Sequence, residues 1–197
     1  MKVLVVNPSL AERIRDHLPP DVEVIKPETG TDDELVVLAG DVEVIVATRL
    51  SPEVAQAAPK LKLLQKTGAG VDDMPFDSLR EETWMANTSG SNPVPLAEGA
   101  VALVFALAKK VIQKHGSFMK DRDVGRGVLL SGRKAGIVGF GSIGREVGRM
   151  LQCMGMDVLA VKRSRDDELA EAMGLEFLGT PDDLIHVMSE SDFVVVT

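Results

Sequence analysis

The sequence is poor in several residue types, and each scarcity excludes something. It has one cysteine, Cys153. No disulfide framework can form within the chain, and no cysteine-based metal site is available. Cys153 lies on a segment of helical periodicity and is expected to be a small buried residue of a reduced protein. Aromatic residues make up 4%, the net charge is −8, and no basic face stands out. A nucleic-acid surface needs clustered Lys/Arg and stacking rings, so the composition argues against one. The longest uncharged apolar run, Gly99 to Ala108, is bracketed by Glu98 and Lys109-Lys110 and falls well short of the ~20 residues that cross a bilayer. Met1 to Pro8 has too short an apolar run for a signal peptide and no small-residue cleavage site. The expectation is a soluble, cytoplasmic protein. No internal repeat, low-complexity tract or heptad pattern is present. No His/Cys/carboxylate cluster suggests a metal, and no Ser/His/Asp arrangement is supported.

What is present is a chain able to build a core: 197 residues, 45% apolar and 26% charged, enough for one large or two small domains. Short apolar runs at Val3–Val6, Val22–Ile25, Val44–Val46, Leu61–Gln65 and Thr83–Ala86 read as buried strands. Helical patterns lie between them at Leu10–Leu18 and Asp32–Leu38, and Ser51-Pro52-Glu53 has the form of a helix start. Strands and helices that alternate in this way imply a parallel sheet covered on both faces. Ligands of such sheets bind beyond the carboxyl ends of the strands. Gly68-Ala69-Gly70 lies at one of those ends. It reads either as backbone exposed to a small anion or as a plain strand-to-helix turn. Asn87 to Pro93 is a composition break. The helix expected from Pro95 to Ile112 is apolar almost all round, hence expected to be buried on every side, between two domains. Gly116 to Ser131 is polar and irregular, a linker with at most a short helix.

A second sheet is expected from Lys134. Ile137-Val138 is a short buried strand. It breaks into Gly139-x-Gly141-x-x-Gly144 and continues with Ile143, Val147, Met150, Leu151 and Met154 at the spacing of one helical face. Strand, glycine turn and helix together, followed by a further strand at 158–162, form the context of a dinucleotide site. Gly139 permits the sharp turn, Gly141 lets the pyrophosphate approach, and Gly144 lets the helix pack on the strand. Free N–H groups at the helix start then hold the anion. A helix near 166–173, a strand at Leu175–Leu178, a helix at Pro181–Ser189 and a strand at Asp192–Val196 complete four parallel strands of a doubly wound sheet.

An NAD site usually places a carboxylate at the end of the second strand, ~20 residues after the turn. Here the sequence is Val161-Lys162-Arg163-Ser164-Arg165. Cations and a hydroxyl suit a 2′-phosphate, with Arg163 able to bind it bidentately. The expected cofactor is NADP rather than NAD.

Several stretches together resemble the D-isomer-specific 2-hydroxyacid dehydrogenases. They are Leu64 to Asp72, Asn87 to Asn92 leading into Leu96-Ala97-Glu98, Gly136 to Gly144, Leu151 to Met156, and Ser191 to Val196, in family order along nearly the whole chain. The resemblance implies two α/β domains with parallel sheets: a flavodoxin-like substrate domain over residues 1–98, and a Rossmann dinucleotide-binding domain over 99–197, incomplete at its carboxyl end. The active site would lie in the cleft between them. Gly68, Ala69 and Gly70 would offer backbone contacts to the substrate carboxylate, with Ala69 also near the nicotinamide. Gly139, Gly141, Ser142, Ile143 and Gly144 would surround the pyrophosphate, and Lys162, Arg163 and Ser164 the adenosine ribose. The family's Arg, Glu and His of catalysis lie after the fourth strand of the nucleotide domain, so no catalytic residue is assigned, and the chain alone is expected to be inactive. His17, His115 and His186 read as solvated surface residues. The implied activity is NAD(P)-dependent hydride transfer with a small 2-keto/2-hydroxy acid by an amino-terminal fragment of a longer enzyme, homodimeric in its full-length form. The alternatives are a non-catalytic dinucleotide-binding module or nucleotide-sensing interaction protein, and, disfavoured by the matches outside the glycine turn, a different Rossmann enzyme.

Overall fold

A computed structural model describes residues 1–118 and 125–197. The chain divides into two compact units, Met1–Ser91 and Asn92–Thr197.

The first unit holds strands β1 (Lys2–Val5), β2 (Glu23–Ile25), β3 (Val44–Ala47), β4 (Leu63–Lys66) and β5 (Trp84–Ala86), with helices α1 (Pro8–Arg15), α2 (Asp32–Ala39) and α3 (Pro52–Gln56). All pairings are parallel, in the order β2-β1-β3-β4-β5. Apolar residues pack on both faces. One cluster gathers Leu4, Leu35, Val42, Ile45, Val54 and Leu64 under α2 and α3, and a smaller one joins Val3 and Val5 to Ala11 of α1. That two-sided burial is why the strands read as continuous apolar runs rather than alternating ones. Helix starts are set locally. Asn7 accepts from the N–H groups of Ser9 and Leu10 at 3.0 and 3.1 Å, and α1 starts at Pro8, two residues before the expected Leu10. Ser51 caps α3, with Pro52 in its first turn.

The second unit holds helices α4 (Pro93–Ala108) and α5 (Val111–Phe118), then β6 (Lys134–Val138), α6 (Ser142–Cys153), β7 (Asp157–Val161), α7 (Asp167–Ala172), β8 (Phe177–Gly179), a single 3₁₀ turn (Pro181–Asp183), α8 (Leu184–Glu190) and β9 (Phe193–Val196). The parallel sheet runs β8-β7-β6-β9. Its main core joins Ala97, Val101, Val104 and Ala108 of α4 to Ile137, Val147, Leu151 and Val158. Val187 of α8 covers Leu159 and Val161 on the other face.

Three expectations are corrected here. The helix from Pro95 is two helices. Lys110 has φ 55°, a left-handed conformation that no helix propagates, and the chain restarts at Val111. Nor is α4 buried all round. Its small-residue stripe, Ala97, Val101, Val104 and Ala108, packs against α6, while Leu103 and Leu107 on other faces are 68% and 65% exposed. Cys153, expected inside, is exposed, because it ends α6 on the side away from Val147 and Leu151. Of the expected linker Gly116–Ser131, residues 119–124 lie outside the described residues.

Candidate functional site

The glycine turn joins β6 to α6. Gly139 has φ 98°, a region open to glycine and few other residues, and its N–H donates to Val161 O at 3.0 Å. A Cβ on Gly144 would run into the Gly139 carbonyl oxygen. Gly141 differs: a Cβ there would meet nothing within 4 Å. The space beside it is open, as a pyrophosphate would need. Gly141 is also the N-cap of α6 and makes no side-chain cap bond, whereas Asn7, Ser51 and Asp166 do so for α1, α3 and α7. The first-turn N–H groups of Ser142, Ile143 and Gly144 therefore have no side-chain acceptor, and the positive end of the helix dipole stands free for an anion. Ile143 turns its side chain to the core, so only its backbone is on offer.

Next to the turn is a cavity of about 260 Å³ lined by Val138, Gly139, Val161, Lys162, Arg163, Pro181 and Leu184. It lies at the carboxyl ends of β6 and β7, with an apolar floor and two cations at the rim. The cations are not equivalent. Lys162 Nζ lies 2.7 Å from Asp166 Oδ2, and the Lys162 hydrogen bond is the main reason the Asp166 carboxyl is held below its ordinary range. Arg165 is paired with Asp167 at 2.8 Å. Arg163 and Ser164 are exposed, and Arg163 makes no ion pair among the described residues. A carboxylate thus does stand near the end of β7, four residues beyond Lys162, and it neutralises that lysine. The sequence reading missed it; in the structure Asp166 also caps the next helix, accepting from Leu169 N at 3.1 Å. It also missed Arg145, whose Nε folds back to Gly141 O at 3.2 Å, and Thr197, whose hydroxyl donates to Gly139 O at 2.5 Å. Pro181 and Leu184 come to the cavity only through the sheet topology.

In the first unit, the bend Gly68–Gly70 follows β4. Thr88 N donates to Gly68 O at 3.2 Å, and Asn87 Nδ2 to Ala69 O at 2.8 Å. In a trans peptide the next N–H points opposite to the carbonyl. Fixing those two oxygens therefore turns the N–H groups of Ala69 and Gly70 the other way. Among the described residues the N–H groups of Gly68, Ala69 and Gly70 donate to no protein acceptor, and Ala69 and Gly70 are exposed. Unsatisfied, adjacent donors at a strand's carboxyl end are suited to a carboxylate. Below the bend, Lys66 Nζ donates to Thr48 O at 2.6 Å and to Asp73 Oδ1 at 2.7 Å. Arg49 Nε reaches Asp73 Oδ2 at 3.2 Å. The Lys66 hydrogen bond is the first cause of a lowered Asp73 pKa.

His17, His115 and His186 are all exposed, with the His186 ring edge-on to Phe177 at 5.0 Å. Among the described residues no helix is long and apolar enough to cross a membrane.

Residues 101–197 match the family described as D-isomer specific 2-hydroxyacid dehydrogenase, NAD binding domain. The whole chain aligns with the D-3-phosphoglycerate dehydrogenase of Archaeoglobus fulgidus at 31% identity, spanning 38% of that protein's length. The hydroxypyruvate reductase of Thermotoga maritima is 28% identical over 82% of this chain and 53% of its own. Among solved structures, a D-isomer specific 2-hydroxyacid dehydrogenase family protein from Aeromonas salmonicida shares the fold, with a TM-score of 0.82 at 21% identity. That match covers all of this chain and 63% of the other.

Proposed function

We propose, since this chain belongs to the D-isomer-specific 2-hydroxyacid dehydrogenase family, that it serves the NADP(H)-dependent interconversion of a small 2-oxo acid and its 2-hydroxy acid. Met1–Ser91, whose strand order 2-1-3-4-5 is the flavodoxin-like one, acts as the substrate domain. Asn92–Thr197 acts as the Rossmann cofactor domain. The observation that carries the reading is the uncapped start of α6 behind an open Gly141, beside a cavity rimmed by Arg163.

Gly139, Gly141 and the N–H groups of Ser142, Ile143 and Gly144 hold the pyrophosphate. Val138, Val161, Pro181 and Leu184 take the adenosine, and Arg163 with Ser164 takes the 2′-phosphate. Lys162 lends less, because Asp166 already uses its charge. The bound nicotinamide supplies the hydride chemistry. The chain's own part is to place that cofactor and to hold a substrate carboxylate on the N–H groups of Gly68, Ala69 and Gly70.

Calorimetric titration of NADP⁺ and NAD⁺ tests the cofactor assignment. NADP⁺ binds more tightly, by at least about tenfold, the scale of one charge-assisted phosphate contact. Arg163→Ala removes most of that difference, while Lys162→Ala removes little. Equal or weaker NADP⁺ binding in the unmodified protein refutes the preference.

A further inference from the structure

Lys66 is the one charged residue buried among the described residues, 5% exposed. Taking an ammonium out of water is unfavourable unless close partners offset it. A methionine of similar length would end β4 without that cost. The ion pair must therefore be explained by where it sits. Lys66 and Asp73 flank the bend, one on each side of Thr67–Asp72, and their contact at 2.7 Å closes its base. The second Lys66 bond, to Thr48 O, ties that base to the end of β3, and the Thr48 and Thr67 hydroxyls meet at 2.8 Å beside it. On the opposite side Asn87 and Thr88 hold the Ala69 and Gly68 carbonyls. The bend is thus gripped from below and from one flank, while a Cβ at Gly70 would meet nothing within 4 Å.

We propose that Lys66 and Asp73 form a clasp that sets the direction of the Gly68, Ala69 and Gly70 N–H groups and so their affinity for a 2-oxo carboxylate. This rests on the reading of the bend as the carboxylate receptor. Lys66 is a positioning residue. Its ammonium is buried and engaged, and it acts through the backbone it anchors. A strand end needs no charge for stability, but a loop with two glycines has many conformations of similar energy, and a short ion pair across its base selects one of them.

The test compares the wild-type chain with Lys66→Met, Lys66→Arg and Asp73→Asn by amide NMR, thermal melting, and titration with glyoxylate and with NADP⁺. Lys66→Met keeps the melting temperature or raises it, moves the ligand-free amide resonances of Gly68–Gly70, and weakens glyoxylate by about tenfold, the order expected when charge-assisted bonds lose alignment. Its NADP⁺ affinity is unchanged. Lys66→Arg, which can still pair with Asp73, stays close to wild type, and Asp73→Asn falls between. If Lys66→Met does not fold, Asp73→Asn at its more exposed side chain decides the matter alone. Ligand-free resonances of Gly68–Gly70 that stay in place in the variants overturn the clasp. A wild-type bend that does not respond to glyoxylate overturns instead the receptor reading, and the clasp is then judged on the ligand-free spectra.

Discussion

At Gly144 an added Cβ would strike the Gly139 carbonyl oxygen, backbone against backbone, whereas at Gly141 it would project into open space from an extended conformation that any residue can adopt. The two positions therefore separate folding from binding. Gly144→Ala is expected to destabilise the second unit by about 2–3 kcal/mol, the cost of overpacking a site that cannot yield. Gly141→Ala is expected to leave the melting temperature close to wild type while weakening NADP⁺ by at least about tenfold, because only the ligand meets the new methyl group. Thermal melting and cofactor titration of both variants check the pair. Loss of stability at Gly141, or wild-type stability at Gly144, would show that the turn's geometry has been misassigned. The motif itself is visible in sequence. Which of its glycines has open space beside it is decided by the folded backbone.

Among the elements, α2 shows how a helix start organises the loop before it. Its N-cap Thr31 makes no side-chain bond to the helix's first N–H groups. Instead Glu34, in the first turn, reaches back to the N–H groups of Glu28, Thr29 and Gly30 at 2.6, 2.9 and 2.9 Å, and to the Thr29 hydroxyl at 2.7 Å. The Thr29 hydroxyl and then these backbone donors hold the Glu34 carboxyl down at about 2. Its folded pKa lies below the unfolded one, so the stabilisation is complete above the ordinary glutamate range and is lost as pH falls toward about 2. Glu34→Gln is accordingly expected to lower the melting temperature at pH 7, with the difference from wild type shrinking through pH 4 and closing near pH 2, in a series of melts across that range. A gap independent of pH would rule out the carboxylate as its source. The strands and helices were legible in the sequence from their apolar periodicity. Less legible were ends set by single backbone conformations, such as the break at Lys110 with φ 55°, or by packing, such as the one-sided burial of α4. A residue's side chain carries little information about either.

Taken whole, the molecule has two parallel sheets with a candidate anion receptor at the carboxyl end of each. A cavity of about 670 Å³ lies at the opposite end of the first sheet, lined by Lys2, Lys60, Lys62, Asp41 and Glu43 among others. Each of these lysines is ion-paired. Lys2 pairs with Asp41 at 2.8 Å, Lys60 with the same carboxylate, and Lys62 with Glu43 at 2.6 Å. The lysines at that end are already engaged, and volume alone is a poor guide to the site. Reducing a 2-oxo acid also needs a proton donor at the forming alkoxide. None of the three histidines stands out for that role, since all are exposed. These 197 residues by themselves are expected to bind NADP(H) yet to show no turnover of glyoxylate or hydroxypyruvate with either cofactor, followed by nicotinamide absorbance. Activity that persists through repurification would contradict this. From sequence alone came the order of strands and helices, the glycine turn, the Gly68–Gly70 bend and the cations after β7, because each is written in local spacing. Only the tertiary structure decided that Asp166 neutralises Lys162 and leaves Arg163 available, that Pro181 and Leu184 line the cavity beside the glycine turn, and that Lys66 is buried against Asp73 and Thr48. Those relations join side chains through the folded backbone, and burial and charge pairing are properties of neighbours in space.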